Sequence, residues 1–325
     1  MSLIGSKLFE KTLIEPLEKG ANKLYVVAGY ATAVMVMRHI EFALNKNKKF
    51  KFSINLIVGM CPEDGIERTN HKALKNLQSK FGVEFSCNYV VARPAVHSKV
   101  YAWFKDDHPI AGFVGSANYT KNAFSPSRRE VLIEHSPDSC KRYYDDLIGE
   151  TANCEDERIP DLVVVFDRVY IRNGLREEGI GEAETAIPYN IDDLQKVALP
   201  LVDRRGEVPK RSGLNWGQRD GRERNQAYIN IPADIGRSDF FPKIREQFMV
   251  VTDDDKQMVC VRAQQNAKGI HTTFNNSLLG EYFRYRLGLS NGQFIVKEDL
   301  WKYGRTDVTF AKIDDENYYM DFSVR

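Results

Sequence analysis

The pattern of apolar and polar positions changes character midway along the chain. In the first half, short apolar runs alternate with stretches of helical spacing. Residues 23–27 predict a strand, and 32–44 a helix whose Val34, Met37 and Phe42 are spaced for one face. Residues 51–58 predict a second strand, and 68–81 a helix carried by Leu74, Leu77 and Phe81. A third strand follows at 83–91, then short strands at 97–104, 111–114 and 130–135. The βαβαβ order ending in a hairpin predicts an α/β domain, a sheet covered by helices.

Between 149 and 184 the periodicity decays into acidic, polar and glycine-rich stretches that read as a linker. Beyond it, short strands are expected at 197–201, 227–231, 247–252, 258–263, 292–296 and 318–323. Polar loops separate them, with one helix at 277–287. This half predicts a mostly-β barrel or pseudobarrel. We place the boundary near residue 175, giving domains 1–175 and 176–325. A chain of 325 residues is longer than one core usually fills, which agrees with two domains.

Composition narrows the picture. A hydrophobic share of 42% and a charged share of 28% describe an ordinary globular chain. Net charge is +1, so a basic surface must be local rather than global. No apolar run approaches the roughly 20 residues of a membrane span. The first 18 residues carry acids and lack the apolar core and cleavage site of a signal peptide, so a cytoplasmic protein is expected. Five scattered cysteines read as free thiols, without a disulfide framework or zinc site.

The strongest chemical signal is His97-Ser98-Lys99 followed by Gly115-Ser116-Ala117-Asn118. On a strand, His97 and Lys99 would share one face, together with Tyr101. The Gly115-Ser116 corner lets backbone approach an anion closely, and Asn118 adds an amide donor at the same spot. A histidine nucleophile with cationic and amide donors around the phosphate oxygens suits metal-free phosphoryl transfer, and no cofactor is expected. A carboxylate usually orients such a histidine. Glu130 is the first choice and Glu134 the fallback. A lone histidine on a strand is ordinarily structural, and the weight comes from the Gly-Ser-Ala-Asn run. Elsewhere the chemistry is weak. Residues 174–181 lack a P-loop lysine, and Asp253, Asp254 and Asp255 read as a turn of solvated acids. His71, His108 and His271 show no metal-ligand spacing, and Cys140 and Cys154 have no evident activating partner.

These residues resemble the phospholipase D superfamily. The resemblance implies a covalent phosphohistidine on His97, with Lys99 and Asn118 holding the phosphate and Ser116 beside it. Where that superfamily's signature carries an aspartate, this chain has Phe104, which argues against generic phospholipase chemistry. The pattern resembles instead the restriction-endonuclease branch (BfiI-like and NgoFVII-like), where a later glutamate takes the orienting role. The superfamily uses two histidines and this chain has one motif, so the resemblance implies a homodimer. Its site would lie at the interface, with one His97 attacking and the other protonating the leaving oxygen.

The second half supports that branch. Lys210, Arg211, Ser212, Asn215, Trp216, Gln218 and Arg219 form one polar loop whose aromatic reads as exposed or as an anchor of the loop on the barrel. Gln264, Gln265, Asn266, Lys268 and His271 form a second. Arginine paired with guanine, and asparagine or glutamine paired with adenine, give these loops the vocabulary of base reading. A solvated loop is the plain alternative for either alone. Together they resemble the arms of B3-like DNA-binding domains, with 276–289 as that domain's helix. Phe283 and Leu287 would pack on the barrel, and Arg284 and Arg286 would face solvent. The implied partner is double-stranded DNA, and such a system would bring a cognate DNA methyltransferase and a separate ATPase subunit into question. A phospholipase or phosphatidyltransferase and a non-catalytic DNA-binding protein are the rival readings. The single motif and the missing aspartate count against the first, and the intact His97, Lys99 and Asn118 against the second.

Overall fold

The computed structural model describes residues 3–48, 51–125, 128–166, 168–172, 175–176, 187–190, 193–254, 256–263, 268–273 and 276–324, with backbone segments only between 167 and 192. The chain divides into two compact units, Met1–Tyr189 and Asn190–Arg325. The boundary expected near 175 falls where only backbone is described.

The first unit is built on an eight-stranded sheet. Its strands are β1 (Leu3–Ile4), β2 (Lys23–Ala28), β3 (Ser53–Val58), β4 (Phe85–Val90), β5 (Val100–Lys105), β6 (His108–Gly115), β7 (Leu132–His135) and β8 (Thr151–Asn153). They lie in the order β1-β7-β6-β5-β2-β3-β4-β8. Strands β2, β3 and β4 are parallel, whereas β5, β6 and β7 form an antiparallel meander on the other side of β2. This mixture puts the ends of β2, β3 and β6 and the beginnings of β5 and β7 along one edge.

Helices α1 (Ala33–Lys46), α2 (Arg68–Phe81) and α3 (Pro137–Ile148) belong to this unit. Helix α1 starts at Thr32, whose hydroxyl accepts from the Met35 amide at 3.3 Å. Ser136 caps α3 in the same way, and Pro137 fills the first helical position. The apolar spacing does not predict α3, because its exposed Arg and Asp residues outnumber the buried Cys140 and Tyr144. Those two residues cover one face of the sheet, against Val27, Ile57, Val90, Ala102 and Phe104. On the opposite face the Trp103 indole donates to the Thr12 carbonyl at 2.8 Å. Fully buried His39 of α1 lies on the same side, 2.8 Å from the Tyr119 hydroxyl and 3.0 Å from the Leu13 carbonyl.

Two expected strands start later than the sequence suggests. Pairing begins at Val100 opposite Val114 and at Leu132 opposite Gly115. His97, Lys99 and Glu130 therefore stand in the approaches to β5 and β7 rather than within them.

The second unit carries a seven-stranded sheet. Its strands are β9 (Lys196–Pro200), β10 (Ile229–Asn230), β11 (Gln247–Thr252), β12 (Gln257–Ala263), β13 (Gly269–Thr272), β14 (Asp307–Lys312) and β15 (Asn317–Asp321). The order is β9-β14-β15-β11-β12-β13-β10, with only β11 and β15 parallel. The terminal strands β9 and β10 also approach each other, which makes the sheet a nearly closed pseudobarrel. Helices α4 (Leu278–Arg286) and α5 (Lys297–Tyr303) accompany it. Phe283 is buried in the barrel core, and Leu287 packs against it.

Three expectations are corrected here. Residues 292–296 are not a strand: the Asn215 amide takes the place of a neighbouring strand, donating to the Ile295 carbonyl at 2.7 Å and accepting from its N–H at 2.9 Å. Arg284 and Arg286 do not face solvent. Arg284 is fully buried and donates to the carbonyls of Gln293 (2.7 Å) and Gly280 (3.1 Å). Arg286 pairs with Asp253 at 2.8 Å and donates to the Tyr303 hydroxyl at 2.6 Å. Asp253 is thus a buried half of an ion pair, not a solvated turn residue, its side chain only 8% exposed.

Burial lowers the His39 imidazole to about 4 from its ordinary 6.5, against a smaller opposing effect of the Leu13 carbonyl. The unfolded chain takes up that proton as pH falls below 6.5, while the native chain resists until about 4. Stability is therefore full above pH 6.5 and falls through this window, by on the order of 3 kcal/mol for His39. Urea unfolding of the native chain and of His39→Gln across this window tests it. The substitution should remove a corresponding part of the pH dependence, and an unchanged dependence would refute the assignment.

Candidate active site and DNA-binding surface

Close backbone packing builds the site at the sheet edge where β2, β3 and β6 end. The Gly59 N–H donates to the Ala28 carbonyl at 2.8 Å, and the Met60 N–H to the Gly29 carbonyl at 3.0 Å. Val96 N–H in turn donates to the Gly59 carbonyl at 3.0 Å. A Cβ on Gly59 would lie 1.9 Å from the Val96 carbonyl oxygen, so only glycine lets the chain cross there on its way to His97. A Cβ on Gly29 would meet His97 Cδ2 at 3.1 Å and Asn118 Oδ1 at 3.4 Å. The imidazole and the amide, far apart in sequence, thus flank one spot above Gly29.

The residues around that spot hold their partners firmly. Asn118 Oδ1 accepts from the Tyr30 N–H at 3.0 Å, which turns the amide NH2 away from the backbone. The Tyr30 ring meets His97 edge-on, with centroids 6.0 Å apart. Its hydroxyl donates to Asp64, and that hydrogen bond, helped by burial, pushes the phenol up to about 12. Gly29, Tyr30 and Asp64 escape a sequence reading because nothing local distinguishes them.

Lys99 is 5% exposed, and its ammonium donates to the His97 carbonyl. Burial lowers its pKa, and the negative charge of Glu130 opposes that shift. Ser116 donates to the Glu130 carboxylate through its hydroxyl, which also accepts from the Val131 N–H at 3.1 Å. Gly115 is needed beside them, because a Cβ there would lie 2.2 Å from the Val131 carbonyl oxygen. The Tyr101 hydroxyl fixes the run from behind, donating to the Ala117 carbonyl at 2.8 Å. His97, Lys99, Ser116, Asn118 and Glu130 are therefore gathered at one edge. Glu134 is exposed and pairs opposite Phe113, further along β7 and away from that edge. The gathered set can hold an anion between an ammonium and an amide, with an imidazole positioned to attack it.

In the second unit, Lys210, Arg211, Arg219 and Lys268 are exposed, with Ser212, Gln218 and His271 half-buried. Arg211 pairs with Asp220 at 3.5 Å, and Arg219 donates to the Arg211 carbonyl at 2.6 Å. The expectation that Asn215 reads bases is corrected: it is fully buried and its amide is engaged by Ile295 and the Pro209 carbonyl. Trp216 is likewise buried rather than exposed. It packs between Tyr228, His271 and the Arg222 guanidinium, whose carbon lies 4.1 Å from a Trp216 ring centroid. This pins the first loop onto the barrel and against β13. The Gln218 amide donates to the carbonyls of Arg224 (3.2 Å) and Gly292 (3.1 Å). Gln264, Gln265 and Asn266 lie outside the described residues.

All five cysteines are buried and free. Among the described residues no helix is long and apolar enough to cross a membrane. Among them, too, no group of three or more His, Cys, Asp or Glu residues is placed to hold a metal ion.

Comparison with known proteins assigns both units. Residues 6–161 match the N-terminal phospholipase D domain of the NgoFVII restriction endonuclease. Residues 189–314 match the C-terminal B3-like DNA-binding domain of the same enzyme. No curated protein matches the chain. Similar solved structures include NucT from Helicobacter pylori, at 18% identity over 47% of this chain and 97% of that one, with a TM-score of 0.32. Nuc from Salmonella typhimurium, a phospholipase D family member, is 18% identical over 47% of this chain and 95% of its own, with a TM-score of 0.33. Polyphosphate kinase from Porphyromonas gingivalis is 14% identical over 47% of this chain and 24% of its own, with a TM-score of 0.31. The chain belongs to the NgoFVII family of restriction endonucleases, a phospholipase D-type nuclease domain followed by a B3-like DNA-binding domain.

Proposed function

We propose that this restriction endonuclease hydrolyses DNA without a metal ion, through a covalent phosphohistidine on His97, as a homodimer whose B3-like domains choose the sequence. The observation that carries this reading is the meeting of the His97 imidazole and the Asn118 amide above Gly29, with buried Lys99 beside them. An imidazole nitrogen of His97 attacks phosphorus. A nitrogen–phosphorus bond forms as one deoxyribose oxygen leaves, and that oxygen takes a proton from His97 of the partner subunit. Water then attacks the phosphorus and gives its proton to the partner's His97. The nitrogen–phosphorus bond breaks, and the phosphate-ended strand departs.

Lys99 and the Asn118 amide bind the non-bridging oxygens where charge grows in the transition state. Glu130 is a positioning residue. Its hydrogen bond runs to Ser116 and its charge acts on Lys99, so it supports the clamp that holds the phosphate rather than orienting the His97 ring as the sequence suggests. Its charge opposes the lowering that burial imposes on the Lys99 ammonium. In the recognition domain, exposed Arg211 and Arg219 are the candidates for base contacts, and Lys210 and Lys268 for phosphates.

Two sets of experiments test this reading. Cleavage should persist in EDTA, and His97→Ala should abolish cleavage while leaving DNA binding near wild type in a gel shift. Activity that vanishes with chelator and returns with magnesium would refute the metal-free clamp. The second set concerns the support of the site. Glu130→Gln should shift the alkaline limb of the rate profile to lower pH, because Lys99 then loses its proton sooner, whereas Glu134→Gln should leave that limb in place. Gly29→Ala should slow cleavage by roughly 10- to 100-fold with little change in melting temperature, since its methyl group pushes apart two groups that must converge. An active Gly29→Ala enzyme would show that the convergence is not needed.

A further inference from the structure

A cavity of about 710 Å³ opens on the first unit beside Glu130. Its walls come from the segment after β1, from α1 and from the approach to β7. They carry four cations, Lys7, Arg38, Arg128 and Arg129, against the carboxylates of Glu10 and Glu130. Glu130 already accepts from Ser116 and acts on Lys99, which leaves a local excess of positive charge in a chain of net charge +1. The floor is apolar, with Phe9 and Phe124 edge to face at 6.3 Å. The Arg38 guanidinium lies over the Phe9 ring, 4.6 Å from its centroid. Stacking of this kind uses the flat face of the guanidinium and fixes its positive charge at the groove. Arg128 and Arg129, which also line it, are exposed.

We infer that this groove is a DNA-backbone subsite that holds phosphates of the cleaved strand next to the scissile one. The inference rests on the proposed reaction for what happens at its Glu130 end. The space is far larger than one phosphate, and its cations come from three separate segments. A polyanion laid along it meets successive donors, as a single small anion would not. Contacts to the phosphates themselves carry no sequence information, so this hold is independent of sequence. The groove gives the nuclease domain its own hold on the strand, in addition to the B3-like domain's hold on the site.

Binding can be measured apart from chemistry in the full-length His97→Ala chain, by fluorescence anisotropy with a short duplex of arbitrary sequence at several salt concentrations. Adding Arg128→Gln and Arg129→Gln should lower the slope of log affinity against log salt by about two units and weaken binding at low salt roughly tenfold or more. Arg128→Lys with Arg129→Lys should keep the slope. An unchanged slope and affinity in the glutamine pair, an equal loss in the lysine pair, or a parent chain that does not bind would each overturn the subsite. Cleavage by the chain with His97 intact reads the reaction separately. A lowered slope without any cleavage by that chain would keep the subsite and refute the chemistry.

Discussion

The site depends on backbones passing closer than any side chain would allow. At Gly59 the crossing segment that delivers His97 lies where a Cβ would be. At Gly115 the approach to β7, which delivers Glu130, does the same. At Gly29 the space that a methyl group would fill is shared by His97 and Asn118. Three glycines thus bring residues from separate strand ends onto one point. The sheet's mixed topology makes this possible, because parallel strands end where antiparallel neighbours begin. The sheet fixes positions, and the loops that leave its edge carry the residues of the proposed site.

Electrostatics complete what packing begins. Lys99 is buried, which disfavours its charge, and the negative charge of Glu130 offsets part of that effect. An ammonium held in a partly dry setting interacts more strongly with phosphate oxygens than a solvated one would. The Tyr30–Asp64 hydrogen bond locks the residue whose backbone orients Asn118. In the second unit the same economy of partners appears as scaffold. Arg284, Arg286, Asp253 and Asn215 are polar residues spent on holding the barrel together.

Sequence alone carries the architecture well where a residue's role follows from its neighbours in the chain. The helix at 68–81 shows its apolar spacing and matches α2 residue for residue. The pairing of His97 with Lys99, and the Gly-Ser-Ala-Asn run, point to the chemistry because both are local. Failures come where a role is set by distant contacts. Asn215 looks like a base-reading amide, yet it substitutes for a strand beside Ile295, eighty residues on. Arg286 and Asp253 look solvated because they are paired with each other across a long stretch of sequence. Trp216 in its polar loop allows either an exposed contact or an anchor on the barrel, and Tyr228, His271 and Arg222 enclose it as an anchor. Gly29 gives no sign of its part, since its meaning lies in the two side chains it admits.

The central claim is that His97 forms a covalent bond to phosphorus, and trapping that bond tests it most directly. Enzyme mixed with radiolabelled duplex DNA is denatured within one turnover at alkaline pH, where a nitrogen–phosphorus bond survives, and the labelled peptide is mapped by mass spectrometry. The account predicts a DNA strand attached to the peptide bearing His97, absent from His97→Ala. Full cleavage with no adduct, or an adduct on another residue, would contradict it.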